Sequence, residues 1–284
     1  MIGYFDFETL SDAGFVFDPA LGRFVPIPET TKGSKPGLST VGTVAYAEHP
    51  STEVVCLAYH IGHWGFWTPH LAPPVDLFKW IADGHLLEAV NSFFEYQIWS
   101  NVCVKKYGWP ALPIEQTRDT AAKARAYGLP GKLKQLGDAL ELDVVKDAAG
   151  DRLIKKFTMP RRPTKKDPRH HIPIDSEPLD GGLFYSYCVQ DVRSEMAASA
   201  RIPELGAEET AIWLVDQKIN ERGVYIDAAA LSACLEIVRQ AEAKYNVELY
   251  DLTGQKCKSH AELANLKKWL GENGLAMLNM QADT

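Results

Sequence analysis

The chain has 284 residues, 46% hydrophobic and 24% charged, with a formal net charge of −7; this is the composition of a soluble globular protein with room for one large domain and part of another. No apolar run reaches the length of a membrane span, no signal-like leader opens the chain, and five scattered cysteines without a C-x-x-C pair argue for reduced thiols and against a zinc ribbon. The acidic balance does not advertise a nucleic-acid partner, yet residues 152–171, "RLIKKFTMPRRPTKKDPRHH", hold eight Lys/Arg against one acid, Asp167.

In chain order, "IGYFDFET" reads as a strand from its aromatic and β-branched content, and residues 11–40 as a long Gly/Pro/Ser/Thr-rich loop. "TVGTVAYAEH" and "EVVCLAYHIGH" read as a hairpin pair turning at "HPSTE". "PPVDLFKWIAD" predicts a helix after Pro74, "HLLEAVNS" a buried strand, and "FFEYQIWSNVCVKKYG" a helix with Phe94, Ile98 and Val102 on one stripe. "DTAAKARAYGLPGKLKQLGDALEL" predicts two helices broken at Gly128–Pro130–Gly131, with Asp119 as a cap. Pro160, Pro163 and Pro168 suggest that the basic segment 152–171 is extended and mobile. "GGLFYSYCVQDVRSEMAASARI" predicts a helix closed by Pro203, and two further helices joined by "RGVYID" follow from about residue 207. Strands first, then strands mixed with helices, imply an α/β sheet domain followed by an all-helical segment.

Three groups of residues carry chemistry. Asp6 and Glu8 lie two apart on the first strand, so both point to one face. Glu95 follows a strand-to-helix junction in "NSFFE". Tyr187 and Asp191 lie four apart on a helix and address one point. Crowded carboxylates of this kind suit divalent cations that prefer oxygen ligands.

D-x-E, then N-x-x-F-E, then Y-x-x-x-D, in this order, resemble the three motifs of DEDD 3′→5′ exonucleases. They are most similar to the tyrosine branch found in phage-type family A DNA polymerases. The resemblance covers residues 1–205. It implies a ribonuclease H-like fold, with a mixed central sheet flanked by helices, followed over 206–284 by a helical segment similar to the start of a polymerase thumb. It further implies two Mg²⁺ or Mn²⁺ ions held by Asp6, Glu8, Glu95 and Asp191, with Tyr187 orienting the attacking water. Thr9 and Leu10 would contact the terminal nucleotide, Phe94 would pack near the substrate strand, and Asn91, also on the substrate side, occupies the motif's polar position. The implied substrate is a DNA 3′ end, single-stranded or frayed, in a bacterial or phage-infected host cytosol. A polymerase domain, in cis or in trans, is the implied partner, and no membrane is involved. One departure stands out: the family usually has Asp where this chain has Glu95, one methylene longer.

Lys155, Lys156, Arg161 and Arg162 are the candidates for holding backbone phosphates. His60, His63 and His70 lack partners for a zinc site, Trp64 and Trp67 are expected to pack, and His170 and His171 to be solvated. Glu195 continues the Tyr187/Asp191 face, where supporting a metal-bound water is one reading and a solvated helix acid the expected one. Two other readings remain at this level: a ribonuclease D-like RNA-trimming enzyme, and a catalytically weak domain that only holds DNA.

Overall fold

The computed structural model describes residues 1–27, 37–142 and 150–275, and the chain parts into two compact units, Met1–Arg222 and Gly223–Thr284. In the first unit, strand β1 (Ile2–Leu10) is followed by a small hairpin of β2 (Phe15–Asp18) and β3 (Arg23–Pro26). Short helices α1 (Leu38–Val41) and α2 (Thr43–Glu48) lead to the β4 (Glu53–His60) and β5 (Trp64–Trp67) pair. Then come α3 (Val75–Ala82), β6 (Leu86–Ala89) and α4 (Ser92–Ile98), which continues through a π-helical turn, Trp99–Val104, into α5 (Lys105–Tyr107). After β7 (Thr117–Asp119) the unit is helical: α6 (Thr120–Ala126), α7 (Leu133–Ala139), α8 (Gly150–Thr158), α9 (Pro178–Ser199) and α10 (Ala207–Arg222).

The main sheet has the order β5-β4-β1-β6-β7. β1 runs antiparallel to β4 and parallel to β6, and β6 runs parallel to β7. A mixed central sheet flanked by helices, with a helical segment after it, is a ribonuclease H-like fold, as expected. Strand alternation separates two faces of β1. Phe5 and Phe7 enter a core with Leu57, Leu77, Trp99 and Trp109, where edge-on rings lie 5.0–6.4 Å apart. Asp6 and Glu8 face the other way, toward α9, which packs on β1 and β4. The first helical position of α9 is Pro178, whose fixed φ suits that place.

Several local expectations change. The segment read as the first arm of a hairpin is α2: Tyr46 N–H donates to Gly42 O, and the two buried residues, Tyr46 and Ala47, are adjacent rather than alternating. Its place beside β4 is taken by "WGFW", too short and glycine-broken to stand out. The region 11–40 contains the β2–β3 hairpin and α1; residues 28–36 lie outside the described residues. The basic segment begins as helix α8, because its first proline comes only after Leu153 and Phe157 have been buried on one side.

The second unit contains α11 (Ala228–Leu252) and α12 (Leu263–Glu272). Asp227 caps α11 by accepting from Ala230 N at 2.9 Å. Thr253 and Cys257 are buried where the chain leaves α11.

Candidate metal centre

β1 supplies Asp6 and Glu8, and the buried side of α9 supplies Tyr187 and Asp191. One carboxylate oxygen from each of Asp6, Glu8 and Asp191 lies within 4.8 Å of the other two. Three hard anionic oxygens this close, from residues 185 positions apart in the chain, suit a divalent cation of the magnesium or manganese type. Among the described residues this is the one group of three such side chains with that spacing. A bulge between Glu8 and Thr9, against β4, turns the strand where Glu8 points into the site.

Tyr187 is 5% exposed and hydrogen-bonds Asp191. Burial, then the charges of Asp191 and Glu8, holds its phenol protonated far above the ordinary range. Its ring lies over the start of α8. A Cβ on Gly150 would come within 2.3 Å of the ring, so only glycine leaves room there. The Cys188 thiol faces Asp6, 3.4 Å from its backbone oxygen and 3.7 Å from Oδ2.

Glu95 stands outside the triad. It is 3% exposed, and its Oε2 accepts from Phe7 N at 3.0 Å. The pairing of β1 with β6 ends at Tyr4–Glu88, so Phe7 N–H has no strand neighbour on that side, and the glutamate satisfies it. Burial, then Asp6, drives the Glu95 carboxyl well above the ordinary range. A helix acid thus serves β1.

Thr9 and Leu10 part company. Thr9 is buried and hydrogen-bonded to Tyr46 OH at 3.0 Å, beside Phe94, whose ring is 5.9 Å from that of Tyr46. Glu8, Thr9, Tyr46, Phe94, Ile154 and Met159 line a cavity of about 180 Å³ next to the triad. Leu10 points away from it, into the cluster of Val55, Phe157 and Phe184. Asn91 is exposed in the left-handed region at φ 65° and makes no side-chain cap. Asp119 instead accepts from Ser92 N at 2.7 Å while capping α6 through Ala122 N at 2.7 Å, so one acid orders two helix starts.

The basic candidates also divide. Lys156 pairs with Asp180 at 2.6 Å and with Glu177 at 3.2 Å, and Arg161 pairs with Asp167. Lys155 and Arg162 are exposed, and no ion pair among the described residues engages them. The histidines are not a zinc group: His63 bonds Asp76 at 2.9 Å, His70 lies 3.7 Å from Asp175, and His60 packs on Trp64. The terminal pair is not solvated either, for His171 bonds Asp12 at 2.6 Å and His170 packs between Phe17 and Phe24. Trp67 is buried, whereas Trp64 is 42% exposed with Arg193 over its ring.

Tyr46, Gly150 and Cys188 were not singled out from sequence. Tyr46 was hidden in a segment with the wrong periodicity, and nothing local marks a glycine that a distant ring requires.

No family model matches the chain. It is 32% identical over 255 residues to a DNA polymerase of Bacillus phage SP02, an alignment covering 87% of this chain and 38% of that protein. The chain therefore spans well under half the length of that relative.

Proposed function

We propose that the chain is a metal-dependent 3′→5′ exonuclease that trims DNA ends, the proofreading part of a phage-type DNA polymerase. Residues 1–205 would form the exonuclease domain and 206–284 a helical segment leading toward a polymerase thumb. The observation that carries this reading is the convergence of Asp6, Glu8 and Asp191 beside the buried Tyr187. The similarity to a phage polymerase supports the choice of DNA and of a cytosolic setting. No helix among the described residues is long and apolar enough to cross a membrane.

Divalent cations, two by this reading, would neutralise the scissile phosphate, lower the pKa of water and stabilise the leaving 3′-oxygen. Asp6, Glu8 and Asp191 would hold them, and Glu95 is the fourth acid that the resemblance assigns to the set. The phenol O–H of Tyr187 donates a hydrogen bond to Asp191, so the phenol oxygen would accept a hydrogen bond from the attacking water and orient it toward phosphorus. Attack forms the new P–O bond and breaks the P–O3′ bond, leaving a shortened 3′-hydroxyl end and a nucleoside 5′-monophosphate. The cavity beside Glu8 offers Phe94 and Tyr46 rings to the terminal base.

A 5′-labelled single-stranded DNA oligonucleotide and its RNA counterpart, incubated with Mg²⁺, Mn²⁺ or EDTA, test this. The reading expects stepwise shortening of DNA that the chelator stops. Faster shortening of RNA would transfer the assignment to the ribonuclease D-like class. The DNA-holding alternative draws on Glu95, whose Oε2 is already engaged by Phe7; a steep gain of activity from almost none in Glu95→Asp would favour it.

A further inference from the structure

One turn beyond Asp191, α9 carries an acid for which the proposed reaction has no role. Glu195 is 2% exposed, not solvated. Its Oε1 lies 2.8 Å from Thr120 Oγ1, and Glu88 Oε1 lies 2.6 Å from the same hydroxyl. A threonine hydroxyl has one proton to give and otherwise accepts. It can donate to only one of the two carboxyls, so the other must bring a proton of its own.

Lys123 decides which. Its Nζ lies 3.1 Å from Glu88 Oε1, 2.7 Å from Ser199 Oγ and 2.6 Å from Glu204 Oε1, which accounts for its three hydrogens. Glu88 therefore has a cation beside it, and Glu195 has none of that lysine's donors. The surroundings agree in direction: burial above all, then the charge of Glu88, with smaller contributions from Asp6 and Asp119, raises Glu195 well above the carboxylate range, against a lowering by Thr120.

We infer that Glu195 is a neutral carboxylic acid donating its proton to Thr120 Oγ1, and that this bond makes it a positioning residue rather than a further cation-binding carboxylate. It ties the turn after Asp191 to α6 and, through the shared hydroxyl, to Glu88 on β6. Ionised, it would set two buried carboxylates against one hydroxyl, and the helix bearing Tyr187 and Asp191 would shift. The protonation state stands on the hydrogen count and on the place of Lys123 beside Glu88; its consequence for catalysis rests on the exonuclease reading.

The full chain is compared with Glu195→Gln and Glu195→Ala. The amide keeps the shape and supplies an N–H donor but cannot become an anion. The infrared difference between wild type and Glu195→Gln at neutral pH is expected to contain the carbonyl band of a protonated carboxyl. Glu195→Gln should keep Mn²⁺ affinity and exonuclease rate within about threefold of wild type, whereas Glu195→Ala should lose about tenfold or more in both, the range for residues that orient ligands. An unfolded Glu195→Ala beside a folded, active Glu195→Gln is support too, since only the hydrogen-bonding amide separates them. A carboxylate band in the difference spectrum, or Mn²⁺ binding about tenfold weaker in folded Glu195→Gln, overturns the neutral acid. Wild-type affinity in Glu195→Ala removes the positioning role. Should wild type degrade no DNA, the exonuclease reading falls, while the spectrum still decides Glu195.

Discussion

Asp6, Glu8 and Asp191 crowd like charges within 4.8 Å of one another, an arrangement that costs stability until a cation enters. Asp191→Asn should therefore melt no lower than wild type in EDTA, yet gain less on adding Mn²⁺, because binding stabilises only a state that binds. Its exonuclease rate should fall by more than about 100-fold, beyond the usual loss for residues that merely orient ligands. A folded variant with the wild-type rate removes Asp191 from the site. Tyr187 offers a test that does not alter its own chemistry. Gly150→Ala places a methyl group where the ring stands, so the ring or the start of α8 must move, and about 100-fold can be lost when a reacting group shifts by about 1 Å. An unchanged rate would show that the position of the phenol is immaterial. The face-sharing of D-x-E and of Y-x-x-x-D is local arithmetic and was legible in the sequence. The burial of Glu195 was not, because its partner Thr120 lies 75 residues away in the chain.

Helix α8 shows how a charged segment can conceal a packed one. Leu153 and Phe157 are about 1% exposed against Phe184, so Phe157→Ala should cost roughly 3–5 kcal/mol in chemical denaturation. A loss under about 1 kcal/mol would return the segment to a solvated arm. Its cations fall into two kinds. Lys155 and Arg162 are exposed, whereas Lys156 and Arg161 face carboxylates. Neutralising Lys155 and Arg162 together should flatten the salt dependence of DNA binding, the slope falling by about 0.7 for every phosphate that a single strand then leaves unneutralised. Equal slopes would exclude both from the DNA path. The sequence showed the charge excess, but the acids that offset it, Glu177 and Asp180, lie outside the segment, at the start of α9. The same limit hides α2 from the sequence: its apolar residues suit a strand, and packing against α4 and the π-helical turn favours the helix.

At the scale of the whole molecule, the order of strands and helices sufficed for an α/β sheet domain followed by helices, and the ribonuclease H-like topology came from the resemblance carried by the three acidic motifs. The extent of the first unit was less legible. By packing it runs to Arg222: Trp213 is half-buried, Tyr96 donates to Glu221 at 2.6 Å, and Lys218 pairs with Glu115 at 2.7 Å. A chain ending at 222 should thus melt above one ending at 205, by about 2–4 °C for each kcal/mol that α10 contributes. Equal melting points would make residue 205 the packing boundary. The central claim, that carboxylates distant in the chain meet to hold a catalytic cation, is tested most directly by titrating Mn²⁺ into the metal-free protein and following free Mn²⁺ by electron paramagnetic resonance. Wild type should sequester the ion at a site that Asp6→Asn and Asp191→Asn each lose. Identical titration curves for all three proteins would contradict the account.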